Sequence, residues 1–219
     1  MAEAKGLPAD ELRAISDRVL QFSEADHCRV RINSGWRGYT RVATNRITSA
    51  GGSDSTSVNI TSIFGKRVAS VDTNRLDDSD LLNAVRRSEQ MARLVPENPE
   101  YLPELGPQRY QSNAAYYPET GELEPATRAE AAAIAIDRAN TAGQIVSSYM
   151  DVRAGISSIG TSNGLFGSHS STAVAYTLTS RSPDGLQSGW AGDEANNWNN
   201  IESQRIADDA VRKCRDWRK

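Results

Sequence analysis

The sequence predicts an α+β fold: duplicated helix–antiparallel sheet–helix units, with the helices packed on one face of the sheets. Three observations predict it. Apolar residues recur three or four apart in four segments and two apart in the segments between them. The strand-like segments are joined by turns too short for the crossover that a parallel pair requires. The order helix, strands, Asn-containing step, hairpin, helix also occurs twice, with NRITSAGGSDSTSVNI in the first half answered by NGLFGSHSSTAVAY in the second. The identities between them are few, so the likeness is one of arrangement. The units are assigned to 1–95 and 125–219, joined by a proline-rich connecting arm over 96–124.

Each element has its own signal. In the first helix, Leu12, Ile15, Val19 and Phe22 share a face. CRVRINSG then alternates at Val30 and Ile32, and TSVNITSIF at Val58, Ile60, Ser62 and Phe64; Gly65-Lys66-Arg67 turns the chain into VASV. The second helix opens on the acidic LDDSD, expected to cap it, and carries Leu81, Val85, Ala92 and Val95. The third begins near Pro125, points Ala129, Ala133 and Ile136 inward, and stops at Gly143. TAVAYTLTS alternates at Val174, Tyr176 and Leu178; SPDG turns; LQSGW returns with Leu186, Ser188 and Trp190. The fourth helix aligns Ile206, Ala210, Cys214 and Trp217.

The arm holds five of the chain's eight prolines, and a sixth, Pro125, follows it directly. Each removes a backbone donor and pushes its predecessor away from helical dihedrals. Tyr110, Tyr116, Tyr117 and Leu102 favour an arm laid over a sheet rather than free coil.

Charge and composition exclude several function classes. A net charge of −3, with Lys and Arg spread along 219 residues, gives no reason to expect a nucleic-acid partner. The basic end KCRDWRK suits the last turn of a helix. Cys28 and Cys214 stand far apart with no CxxC spacing, so neither a disulfide framework nor a zinc knuckle is expected. The N-terminus shows no signal peptide, and no apolar run reaches membrane-spanning length. The expectation is a cytoplasmic protein without membrane contact.

The stretch TSNGLFGSHSSTAVAY raises the question of catalysis. A serine nucleophile needs a base within reach and a strained elbow, and G-x-S-x-G is missing. Ser168 and His169, as strand neighbours, would point to opposite faces. Asn163-Gly164 is instead a strong hairpin signal. His27 and His169 lie in different halves and no His-Glu pair exists, so no shared metal is expected. AGGSD near Ala50 lacks the Lys-Ser/Thr of a phosphate loop and reads as a bulged turn. Of Trp36, Trp190, Trp198 and Trp217, one or two are expected in the core. No residue of the chain is assigned a catalytic or metal-ligating role.

As an ordered set these features resemble the N-terminal region of the TldD/PmbA family, whose members bear a name linked to modulation of DNA gyrase. The residues that carry the resemblance are Asn45, Gly65-Lys66-Arg67, the acidic-capped helix and arm from Leu76 through Pro107, and SNGLFGSHSSTAVAYTLTSRSPDGLQSGWAG. It covers nearly all the chain from about Ala14. The resemblance implies a zinc-dependent peptidase system acting on flexible peptides in the cytosol. The metal is carried on a His-Glu-x-x-x-His helix in the TldD branch, and the PmbA branch lacks that motif. Either way the metal region belongs to a C-terminal domain, so zinc is expected only there or in a partner, and this chain alone is expected to be inactive. The implied role is non-catalytic: assembly, as a homo- or hetero-oligomer with another TldD/PmbA-type chain, and a cleft admitting extended peptides, with an unpaired strand edge available for strand addition. The alternative is a stand-alone interaction module without peptidase activity.

Overall fold

Two long strands, β1 (His27–Ala43) and β4 (Ile145–Thr161), run antiparallel through the middle of the molecule, paired from Arg29↔Thr161 to Val42↔Ser148. On one side lie β2 (Arg46–Phe64) and β3 (Arg67–Thr73); on the other, β5 (Phe166–Arg181) and β6 (Ser188–Ala195). This computed structural model describes residues 5–111 and 113–217. The first four residues, Ser112 of the arm, and Arg218 and Lys219 of the basic end lie outside the described residues.

The strand order β3-β2-β1-β4-β5-β6 is symmetrical about the β1–β4 pair, and every pairing is antiparallel. The duplication is therefore real in three dimensions. It differs from the expectation in one respect: the two units share one continuous sheet rather than forming separate ones. The first strand of each unit would otherwise expose a long edge, and each satisfies the other's backbone donors and acceptors.

The helices are α1 (Ala9–Phe22), α2 (Asp78–Leu94), the single turn α3 (Pro118–Gly121), α4 (Pro125–Thr141) and α5 (Ser203–Arg215). Two apolar clusters lie beneath them on the same sheet face. Leu12, Ile15, Val19, Leu81 and Val85 from α1 and α2 cover Val30, Ile32, Val58 and Ile60. Ala132, Ala135, Ile206 and Ala210 from α4 and α5 cover Val42, Met150, Val174, Tyr176 and Leu178. Because strand side chains alternate, the inward set of β1 and β4 is the even-numbered one.

Several inward-facing assignments need correction. In α4 the buried residues include Arg128, Ala131, Ala132, Ala135 and Ala139, whereas Ala133 is exposed. The run AEAAAIAIDRA offers nearly equivalent alanines on several faces, so apolar spacing could not pick the stripe. Val95 lies just past the end of α2, and Trp217 lies beyond α5 and is exposed. In β6, Trp190 points away from the helices and Gly189 and Ala191 are the buried pair, while Leu186 lies exposed in the turn before the strand. No tryptophan is fully buried; Trp36 and Trp198 pack partly buried against the second cluster. Asp77 makes no side-chain capping bond at α2. Asp78 instead pairs with Arg18 at 2.5 Å and Asp80 with Arg75 at 3.5 Å. AGGSD is not a turn but part of β2; the register shift between β1 and β2 falls at Arg41/Val42.

Arg128 has an unusual place for a cation. It is only 2% exposed, donates to the Leu123 carbonyl (2.8 Å) and Thr40 Oγ1 (3.3 Å), and lies 5.6 Å from the Trp36 ring. Burial lowers its pKa from the ordinary arginine value.

Burial of acidic groups gives the fold an alkaline limit. Burial pushes the Cys28 thiol up to about 11 and the Tyr176 hydroxyl up to about 12. Both groups are neutral when protonated, so between pH 9 and 11 the unfolded chain releases the Cys28 proton while the native chain retains it. Stability therefore falls as pH rises through that window, by up to about 3 kcal/mol from Cys28. Tyr176 adds a similar slope above pH 10. Urea titrations at pH 8 and pH 10.5 are expected to show the loss, and Cys28→Ala is expected to flatten the lower part of it.

Candidate functional site

Helices cover one face of the sheet; the other is open. The strand register assigns the odd-numbered residues of β1 to it: Arg29, Arg31, Asn33, Gly35, Arg37, Tyr39 and Arg41. The same register adds Tyr149, Asp151, Arg153, Ser157 and Ile159 from β4, and His169, Ser171, Thr177 and Arg181 from β5. Asp72 and Glu194 are the further acids that β3 and β6 contribute. A chain of net charge −3 thus gathers positive charge on one surface. The sequence carried a signal for this, since Arg29, Arg31, Arg37 and Arg41 share one parity along a strand. Counting Lys and Arg along the chain hides it.

Three of these arginines are tied down. Asp151, nearly buried, accepts from Arg37 Nε at 2.5 Å and from Arg153 Nε at 2.7 Å. The hydrogen bond to Asp151, followed by its charge, raises the Arg37 pKa further above the ordinary arginine value. Arg29 pairs with Glu104 of the arm at 2.8 Å. Tyr39 and Tyr149 stack with ring centroids 6.1 Å apart.

Between these groups the face is hollow. At its centre Gly35 of β1 opposes Gly155 of β4, and a Cβ on Gly35 would come within 2.5 Å of the Ala154 carbonyl oxygen. With no side chain at either position, a trough of about 660 Å³ opens over them. Asn33, Arg37, Ser57, Arg153, Ser157 and Ser171 contribute to its lining. β3 pairs with β2 only over Val58–Phe64, so the outer edge of β2 over residues 46–57 has no strand partner among the described residues.

The arm closes one end. Its backbone is held by Asn98 N–H to the Lys66 carbonyl (2.9 Å), Thr161 Oγ1 to the Leu105 carbonyl (3.1 Å) and Asn163 Nδ2 to the Glu104 carbonyl (2.7 Å). Further on, Thr172 N–H donates to the Ala115 carbonyl at 2.9 Å, and Ala115 bridges Ser171 in the parallel sense. The expectation of an arm laid over the sheet is met, but not through Leu102, which is 80% exposed. Tyr101 is the ring that turns inward; burial, then the charge of Glu104, raises its hydroxyl pKa.

The sequence candidates for chemistry do not converge. Asn163-Gly164 forms the turn between β4 and β5, with Gly164 at φ +86°. Ser168 and His169 project to opposite faces of β5. His27 Nδ1 lies 3.2 Å from Asn163 Oδ1, at the foot of β1, and His169 stands on the open face. Cys28 and Cys214 are both free and buried. No group of three or more His, Cys, Asp or Glu side chains suited to a metal occurs among the described residues, so no step through zinc is derived for this chain. No helix among the described residues is long and apolar enough to cross a membrane.

Residues 28–92 match the family described as PmbA/TldA metallopeptidase domain 1. Over this stretch the chain is similar to the PmbA/TldD family. Three solved structures share the fold across nearly all the chain. TldE from Thermococcus kodakarensis superposes with a TM-score of 0.78 at 16% identity, over 93% of this chain and 47% of that one. A protein from Thermotoga maritima, described as a candidate modulator of a DNA gyrase, gives 0.79 at 13% identity over 93% and 47%. Its counterpart from Bacteroides thetaiotaomicron, likewise described for DNA gyrase, gives 0.79 at 15% over 94% and 49%. At these identities the likeness is one of fold. The chain spans about half the length of the structures it matches, and no curated protein is a significant match to it.

Proposed function

We propose that this PmbA/TldD-type domain supplies the substrate-access cleft of a cytosolic zinc metallopeptidase system, holding flexible peptides in extended form while another chain or segment performs hydrolysis. The trough on the helix-free face carries this reading. Its floor of Gly35, Gly155 and small polar residues leaves room for a backbone of any sequence. Its walls, Arg37 and Arg153 around Asp151, are fixed before a ligand arrives, which lowers the ordering cost of binding. The unpaired edge of β2 borders it through Ser55 and Ser57 and can add a peptide strand by main-chain hydrogen bonds. An unfolded segment can present such a strand along its whole length. Assembly with a second TldD/PmbA-type chain, identical or related, belongs to the same proposal, with zinc supplied by a His-Glu-x-x-x-His helix outside this chain.

The test uses a fluorescein-labelled flexible octapeptide of Gly, Ala and Ser. The chain alone is expected to raise its anisotropy and leave it intact. Ser57→Trp, an exposed substitution that fills the trough, is expected to weaken binding about tenfold, the loss of about 1.4 kcal/mol. Hydrolysis by the purified chain unaided would overturn the non-catalytic role, and binding indifferent to Ser57→Trp would overturn the trough.

A further inference from the structure

Where the trough meets the arm, a second volume of about 470 Å³ opens, lined in part by Arg31, Asn33, Tyr110, Gln111, Ser157 and His169. Asn33 and Ser157 line both volumes, so the two are continuous. Tyr110 forms the end wall. Its ring lies on β5 at Gly167, where an added Cβ would come within 2.9 Å of the ring's Cζ. An extended chain in the trough cannot pass this point on the sheet surface.

The electrostatics change at the same place. Arg29 is neutralised by Glu104, and Arg37 and Arg153 share Asp151. The Arg31 guanidinium, between them on β1, makes no ion pair or hydrogen bond among the described residues, and no Asp or Glu lines this volume. The register sets Asn33, Ser157 and His169 in one row across three strands, beside the row of Arg31, Ile159 and Gly167. A guanidinium, an amide, a hydroxyl and an imidazole therefore border a dead end that holds no negative charge.

Resting on the trough reading, we infer that this end pocket binds the C-terminal carboxylate of the peptide, with Arg31 as its cationic anchor and the Tyr110 ring against the last side chain. A guanidinium takes a carboxylate in a two-pronged, charge-assisted bond, while Asn33 and Ser157 can donate to the remaining lone pairs. Substrates would then be fixed in register from their C-terminal end, and peptides ending in an apolar or aromatic residue would be preferred.

The experiment compares two fluorescein-labelled octapeptides ending in Phe, one with a free C-terminal acid and one with a C-terminal amide, on the full chain. The acid is expected to bind about tenfold more tightly. Arg31→Gln, at an exposed position whose melting temperature should not move, is expected to abolish that difference, and Arg31→Lys to retain part of it. Equal binding of acid and amide, both weakened by Ser57→Trp, would overturn the anchor and leave the trough standing. Binding of neither peptide would overturn the trough reading and the anchor with it. Displacement of the acid by inorganic phosphate at lower concentration than by acetate would reassign the pocket to a phosphoryl group.

Discussion

Gly189→Val is expected to destabilise the protein by about 3 kcal/mol and to lower its melting temperature by roughly 10 °C. Gly189 is buried on β6 directly beneath α5. A Cβ at this position would collide with the Ala210 carbonyl oxygen and the Cys214 backbone nitrogen, with Lys213 Cβ 2.7 Å away. The first two obstacles are backbone, which cannot rotate aside as a side chain can. Relief requires lifting α5 from the sheet, and with it Ile206, Ala207, Ala210 and Cys214, all fully buried. Gly189→Ala meets the same atoms and should cost nearly as much, whereas Trp190→Val, on the open face, should be close to neutral. A thermal melt of the three variants decides it. An unshifted melt for Gly189→Val would mean that α5 does not rest on β6 as described.

The same contact explains which part of the fold was legible in the sequence. Where strand and helix meet through large side chains, alternation declares the inward face: Val30 and Ile32 in β1, or Val174, Tyr176 and Leu178 in β5. Where the helix backbone approaches so closely that only glycine and alanine fit, the pattern reverses. In β6 the large residue Trp190 is the outward one, because α5 leaves room only for a glycine at Gly189. In α4 the alanines made the stripe ambiguous for a related reason, since small residues face both the sheet and the solvent. The separation into helix–strand–strand–strand–helix units survived these errors because it depends on turns, and turns announce themselves through Asn163-Gly164, Gly65-Lys66 and Pro183-Asp184-Gly185.

The candidate site was less legible. The side chains suited to chemistry in the sequence do not converge. The trough on the open face is made by what is missing, with Gly35 set opposite Gly155, and this juxtaposition depends on the register between strands more than a hundred residues apart. Neither glycine stands out locally. The arginines of β1 were visible individually, but their shared face became visible only once β1 was known to run unbroken from His27 to Ala43 rather than stopping near Gly35. The arm was anticipated from its prolines and tyrosines, yet its attachment runs largely through backbone carbonyls, which composition cannot show.

Asn45→Ala is expected to cost about 3 kcal/mol, and Asn45→Gly about 2, for separable reasons. Asn45 sits in the β1–β2 turn with φ 55°, a left-handed conformation that alanine adopts at a cost and glycine freely. Its side chain also reaches into the other unit. Nδ2 donates to Asn140 Oδ1 (2.7 Å) and to the Gln144 carbonyl (2.9 Å), and Oδ1 accepts from Val146 N–H at 2.6 Å. Val146 is fully buried at the start of β4, so its N–H left without a partner accounts for most of the loss in both variants. The opposite hairpin is built the same way. Asn163 lies 3.2 Å from His27 at the start of β1, and Ser162 exchanges bonds with the Cys28 backbone. Each unit's hairpin tip thus fastens the first strand of the other, and the shared sheet is pinned at both ends of its central pair. In urea titrations the Gly variant should recover about 1 kcal/mol relative to Ala while both retain the wild-type m-value. Equal midpoints for Ala and Gly would remove the backbone part of the argument, and wild-type midpoints for both would remove the cross-unit bonds.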